Sequence, residues 1–111
     1  MIVANFFVDD GFYFYFNIKG HANYNVYGSD IVCAAVSSAV NMVLNAIVNI
    51  INQDCYLDIN KQSAEIILKI KSKNNLESAL FVKALYFHLV DISKEYAKNI
   101  EVNIFEKNIN I

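Results

Sequence analysis

Residues 10–19, DGFYFYFNIK, combine a tight-turn signal with a run that alternates residue by residue. Asp-Gly is favoured in two-residue hairpin turns because both turn positions need a positive φ angle. After the turn, four apolar residues share one face of a strand: Phe12, Phe14, Phe16 and Ile18. Before it, another four share one face of a first strand: Ile2, Ala4, Phe6 and Val8. The stretch therefore predicts a β-hairpin with one buried face.

A long uncharged segment, Ile31 to Gln53, follows the hairpin, and such a segment is also typical of a membrane span. Hydroxyl and amide side chains recur in it every three or four residues, at Ser37, Ser38, Asn41, Asn45, Asn49 and Asn52. This spacing places them on one stripe of an α-helix. The flanking residues Asp30 and Asp54 provide no basic or tryptophan anchor. We therefore predict a core helix and no membrane contact.

The rest of the chain repeats the same two patterns. Alternation over residues 55–60 and 64–71 predicts a second hairpin, and alternation over 100–105 predicts a last short strand. Asn74 with Glu77 resembles a capping box that opens a second helix. Its apolar stripe is Ala79, Val82, Leu85, Leu89, Ile92 and Tyr96. The order β-β-α-β-β-α-β predicts a two-layer α+β fold, with an antiparallel or mixed sheet and both helices on one face.

Length and composition limit the organisation and the partners. The 111 residues fit a single domain, 1–111, with a polar tail from about residue 107. Hydrophobic residues are 56% of the chain and charged ones 18%, which favours a packed core over disorder. The formal net charge is −2, whereas proteins that bind nucleic acid directly usually carry an excess of basic residues, so we do not expect direct nucleic-acid binding. The first residues lack the features of a secretory signal, so we predict a cytoplasmic protein.

The chemistry-bearing residues lie around the loop from Gly20 to Gly28, between the second strand and the central helix. Ser29 or Asp30 can cap that helix, which places Cys33 in its first turn. Unpaired N–H groups and the helix dipole favour a thiolate there, and they would stabilise the oxyanion of a reaction intermediate.

His21 ends the strand whose chain returns to this helix start, so its imidazole is placed to serve as base and then acid for Cys33. Asp30 would orient that imidazole or bind substrate. From the residues alone, a packed cysteine and a solvated histidine are the commoner arrangement.

The motif Gly20-His21-Ala22, followed by Gly28 and the run DIVCAAVS over residues 30–37, resembles the signature of the ribosomal-processing cysteine proteases, the Prp family. The resemblance implies that Cys33 is the nucleophile and His21 the general base. It assigns Asp30 and Ser37 to substrate binding or to the architecture of the site, and we expect Gly20 to bind or orient the substrate with them.

By the same resemblance, the substrate is the short N-terminal extension, ending in an aromatic pair, of bacterial large-subunit ribosomal protein L twenty-seven. The extension is removed through a thioester acyl-enzyme. The family also implies a homodimer. We expect no cofactor and no metal.

Tyr24 and Tyr27 in the loop have two interpretations. Their rings pack on an aromatic substrate segment when the loop closes between its two glycines, or they cover the helix start in the free protein.

Alternatives to the protease remain open from the sequence. The first is a non-catalytic ribosome-assembly or peptide-binding module in which Cys33 is structural. The second is a redox or acyl-carrying thiol protein, although no resolving cysteine is near. A zinc site built from His21, Cys33, Cys55 and His88 would lack any ligand-pair spacing.

Cys55 shares the parity of Leu57 and Ile59, which predicts an inert thiol on a core face. His88 lies on the polar stripe of the second helix with Asp91 and Glu95, and it is a weak alternative base.

Overall fold

The computed structural model describes residues 1–26, 29–73 and 75–106. Its elements, in chain order, are β1 (Ile2–Asp9), β2 (Phe12–Lys19), α1 (Ile31–Leu44), β3 (Cys55–Asn60), β4 (Glu65–Ile70), α2 (Leu76–Glu95) and β5 (Ile100–Glu106). A π-helical segment, Asn45–Ile50, continues α1. The predicted element order is confirmed.

The five strands form one sheet in the order β3-β4-β2-β1-β5. Neighbouring strands are antiparallel, except that β5 lies parallel to β1. The buried faces of both helices share one apolar core with one face of the sheet. The fold is therefore the predicted two-layer α+β arrangement, with a mixed sheet.

The first hairpin has the predicted turn, because Asp10 and Gly11 both have positive φ, of 50° and 80°. One detail of its pattern differs from the prediction. Phe7 pairs with Tyr15 and Val8 with Tyr13, so Phe14 is the extra residue of a β-bulge. Tyr13, now paired with the core residue Val8, is buried and Phe14 is only partly buried, while Phe12 is buried as predicted.

Two other predictions at element ends need correction. The residue that caps α2 is Asn75, whose side chain accepts a hydrogen bond from the Glu77 N–H, and Asn74 lies outside the described residues. Strand β3 is an edge strand, so the burial of its core-facing side chains decreases along its length. Cys55 and Leu57 are partly buried, whereas Ile59 is 51% exposed.

The helical run Ile31–Ile50 is long and apolar enough to cross a membrane by length and composition. In the structure its valines, Val32, Val36, Val40 and Val43, pack into the core. The predicted amide stripe faces outward, and Asn49 donates to Asn45 across one turn at 2.9 Å. The segment thus serves as the central helix of the domain.

Candidate active site

Asp30 organises the start of α1. Its Oδ1 accepts hydrogen bonds from the N–H groups of Val32 at 2.9 Å and Cys33 at 3.0 Å. Its Oδ2 accepts from the N–H groups of Tyr24 at 2.9 Å and Asn25 at 3.2 Å. Asp30, and not Ser29, is therefore the helix cap, and it also ties the preceding loop to the helix.

The ionisation of Asp30 follows from these contacts. Burial alone would raise the pKa of its carboxyl group, but the four backbone N–H groups outweigh that effect and hold the pKa below its usual value. Asp30 is thus a fixed carboxylate with both oxygens occupied. In this structure its contacts are with the loop and helix backbone, and its predicted role towards His21 or substrate stays a prediction.

The thiol of Cys33 lies in the first turn of α1, as predicted, and is half-buried. Its Sγ accepts a hydrogen bond from the Ala22 N–H at 3.3 Å. The helix-start N–H groups expected to stabilise an oxyanion, those of Val32 and Cys33, are occupied by Asp30. That expectation is corrected: among the described contacts, the N–H aimed at the sulfur comes from the loop.

A cleft of about 370 Å³ opens beside Cys33 and contains most of the predicted site. Gly20, His21, Cys33 and Ser37 all line it. Its remaining wall is largely aliphatic and comes from α1, from the start of β1, from the end of β2 and from the β3–β4 hairpin, with Ile2, Ile18, Val36, Val40, Ile59 and Ile66. The polar residues Asn60, Lys61 and Glu65 also line the cleft. The structure therefore brings the histidine and the cysteine to one cavity.

A smaller cavity of about 200 Å³ adjoins the same pair. His21 and Cys33 line it together with Asn23, Asn25 and Asp30. His21, Asn23, Asn25 and Asp30 thus surround the cysteine on the side of the loop.

The loop after β2 is fixed at several points. Gly20 has a φ of +103°, and an added Cβ would lie 2.4 Å from the carbonyl oxygen of Met1, so a side chain does not fit there. Its N–H donates to the Ala64 carbonyl at 3.0 Å. The Tyr24 ring packs edge-on against Tyr96, with 5.3 Å between the centroids.

Residues that the sequence analysis did not single out complete this support. Asn99, immediately before β5, donates from Nδ2 to the Ala22 carbonyl at 3.0 Å. Ala22 itself is 1% exposed. No local pattern indicates the Asn99 contact, because the two residues are 77 positions apart in the chain.

Other predicted residues lie elsewhere. Tyr27 and Gly28 are outside the described residues. His88 lines a groove between α1 and α2, with Met42 and Phe81, and does not line the Cys33 cleft. Cys55 is at the start of the edge strand β3.

Comparison with known proteins decides the family. The sequence profile of the cysteine protease Prp matches residues 1–101. The chain belongs to the cysteine protease Prp family. It is 29% identical over 86 residues to the ribosomal processing cysteine protease Prp of Staphylococcus aureus, covering 78% of this chain and 81% of that protein. The same protein from Bacillus subtilis is 26% identical over 91 residues, with the same coverage.

Solved Prp structures have the same fold. The essential S. aureus Prp with a covalently linked product peptide superposes with a TM-score of 0.89 at 28% identity, covering 95% of this chain and 100% of that one. The S. aureus protein with a substrate peptide gives a TM-score of 0.82 at 27% identity, with the same coverage. This Prp-family chain is accordingly a cysteine protease.

Proposed function

We propose that this protease removes the N-terminal extension of ribosomal protein L twenty-seven, with Cys33 as the nucleophile and His21 as the general base. The observation that carries the proposal is the pairing at one cleft. His21 and Cys33 line the same cavity, and the Ala22 N–H points at the cysteine Sγ at 3.3 Å. The S. aureus relatives support it, since they are named ribosomal processing proteases and bind substrate and product peptides.

The reaction would begin with proton transfer from Cys33 to His21. The thiolate then attacks the carbonyl carbon at the end of the extension and forms a tetrahedral oxyanion. Because Asp30 occupies the N–H groups of Val32 and Cys33, we assign the Ala22 N–H to that oxyanion.

The carbon–nitrogen bond then breaks, and His21 returns the proton to the amine that becomes the new N-terminus. The extension remains on Cys33 as a thioester. Water attacks this thioester with His21 again as base, which releases the extension as a carboxylate and regenerates the thiol.

The cleft wall favours an apolar peptide segment before the cleaved bond. Isoleucines of β1, β2, β3 and β4 line the wall beside Cys33. Such a surface stabilises bound aromatic or aliphatic side chains by removing them from water. An extension that ends in an aromatic pair, as the family resemblance implies, fits this chemistry. Ser37, one turn after Cys33, is the polar group of α1 on the same wall.

The direct test is the intact mass of the L twenty-seven precursor of the same organism after incubation with the protein. We expect one truncated product, whose mass identifies the cleaved bond, and no product with Cys33→Ala. The matched control Cys55→Ala should cleave normally. An unchanged precursor mass with the wild-type protein would contradict the proposal, and tight binding without cleavage would favour the peptide-binding alternative.

We also propose that the protein is a homodimer, as the family resemblance implies, and that it is cytoplasmic, as the sequence analysis expects. Sedimentation velocity should give a mass of about twice 12.6 kDa. Cell fractionation should recover the protein with cytoplasmic markers. A monomer, or recovery in another fraction, would contradict the respective statement.

A further inference from the structure

Ala22 is held on both sides of its α-carbon. Its N–H donates to Cys33 Sγ, and its carbonyl accepts from Asn99 Nδ2 at 3.0 Å. The residue is almost completely buried, so water cannot replace either partner freely. The two peptide groups that meet at Ala22 are therefore each held, one by the cysteine sulfur and the other by Asn99.

Asn99 reaches Ala22 from the turn that precedes β5, and its own main chain is hydrogen-bonded on both sides. Its N–H donates to the Tyr96 carbonyl at 2.8 Å, and its own carbonyl accepts from the Ile2 N–H at 2.9 Å. It stands where β5 begins alongside β1, directly before Ile100, which is 1% exposed. The main chain of Asn99 is thus held by Tyr96 and Ile2, and its side-chain amide contacts the loop, at the Ala22 carbonyl.

The other supports of the loop hold its ends. The Ala64 carbonyl holds Gly20, and the Asp30 carboxylate holds Tyr24 and Asn25. Between these two points Asn99 Nδ2 donates to the Ala22 carbonyl, and the Ala22 N–H donates to Cys33 Sγ. His21 lies in that interval, immediately before Ala22.

We propose that Asn99 is a positioning residue for catalysis, which keeps the Ala22 N–H aimed at the reacting sulfur and holds the adjacent His21 at the cleft. The inference rests on the proposed function of Cys33 and His21. Asn99 does not line the cleft, so it acts through Ala22 and not by contact with the substrate.

The test variant is Asn99→Asp, which keeps the size of the side chain. At neutral pH an aspartate carries no donor, and it places a negative charge against the Ala22 carbonyl. The matched control is Asn103→Asp on β5, the strand that Asn99 precedes. Asn103 is also half-buried, and its amide donates to Asn5 at 3.0 Å, among residues that do not line the cleft.

We expect Asn99→Asp to lower kcat for precursor cleavage by about 10- to 100-fold, as for residues that orient a catalytic group, with KM within about twofold. Asn103→Asp should leave both constants within about twofold. If Asn99 served only the stability of the fold, Asn99→Asp would lower the amount of folded enzyme. The activity losses of Asn99→Asp and Asn103→Asp would then simply follow the decrease in Tm of each variant. Equal kcat losses in the two variants, or an unchanged kcat in Asn99→Asp, would overturn the inference.

A second measurement needs no substrate and separates this inference from the proposed function. Iodoacetamide labelling with peptide mapping reports Cys33 and Cys55 in one sample. We expect the Cys33 rate to fall about tenfold in Asn99→Asp, because a hydrogen bond to the thiolate is lost, while the Cys55 rate is unchanged. An unchanged or faster Cys33 rate would overturn the inference even if the wild-type protein cleaves the precursor. If the wild-type protein fails to cleave it, the proposed function fails, and the labelling result still decides the role of Asn99.

Discussion

The two cysteines of this chain are both reduced and both half-buried, yet their surroundings differ completely. Cys33 lies at a helix start, receives an N–H from Ala22 and shares a cleft with His21. Cys55 begins an edge strand, where burial first and the nearby Asp54 second raise the pKa of its thiol, opposed by Lys71. Position in the fold, and not exposure, thus separates a thiol suited to nucleophilic attack from one that fills space.

Exchanging each cysteine for alanine should give the largest difference between the two sites. Cys33→Ala removes the nucleophile, so kcat/KM for the precursor should fall by at least about 1,000-fold. Cys55→Ala removes only a partly buried side chain, so it should cost about 1 kcal/mol of stability and change kcat/KM by less than about twofold. Initial rates and thermal unfolding of both variants test this. Comparable activity losses in the two variants would contradict it.

The two histidines offer the next comparison. His21→Gln should lower kcat by about 100- to 10,000-fold, because the proton acceptor for Cys33 is lost. His88→Gln alters a side chain on a separate groove and should leave kcat unchanged. Steady-state kinetics at neutral pH measure both effects. A large decrease of kcat in His88→Gln would indicate that His88, and not His21, is the base.

Asp30→Asn tests the loop that distinguishes the Cys33 site. An asparagine has one side-chain acceptor oxygen, so two of the four backbone N–H groups would face an NH₂ group that cannot accept. We expect a fall in kcat/KM of about tenfold and a lower Tm, with the helix still capped by the remaining oxygen. Unchanged kinetics would show that the loop is held without Asp30.

The same variant has a predictable pH dependence. The native pKa of Asp30 is depressed from 3.8, so its contribution to stability is fully present above about pH 4 and is lost as the pH falls through the native value. The Tm difference between wild type and Asp30→Asn should therefore be constant near neutrality and shrink in acid. A difference that grows below pH 4 would contradict this sign.

The smallest expected effect concerns Cys55 alone. Because the pKa of its thiol is raised above 9.0, alkylation of Cys55 should remain slow at neutral pH and accelerate only above pH 9. Peptide mapping of samples labelled between about pH 6 and pH 10, where thiols titrate, measures the alkylation rate of Cys55 as a function of pH. Rapid labelling of Cys55 at pH 7 would remove the contrast between the two sites.

The sequence predicted the parts of the fold that depend on local periodicity. The core face of β1, the apolar stripes of both helices and the position of Cys33 all follow from spacing along the chain. The sequence does not predict the bulge at Phe14, because apolar and polar residues continue to alternate through it. Only the pairing with β1, which shifts by one residue, reveals it. The parallel pairing of β5 with β1 was left open, since strand direction depends on the whole topology.

The site divides in the same way. His21, Cys33 and Asp30 lie within one short stretch and could be identified from the motif. The aliphatic wall from Ile59 and Ile66 could not, because it forms only when the second hairpin folds beside α1. The sequence also does not show that Asp30 occupies the Val32 and Cys33 N–H groups, because the donors that a capping carboxylate takes depend on its geometry.

The central claim is that Cys33 alone of the two cysteines carries the reaction. The most direct measurement is timed inactivation by iodoacetamide, in which precursor cleavage and the alkylation of each cysteine are followed in the same samples. We expect residual activity to fall in proportion to unmodified Cys33 while Cys55 is still largely unlabelled. Cleavage that persists after complete alkylation of Cys33, or that is lost only in step with Cys55, would contradict it.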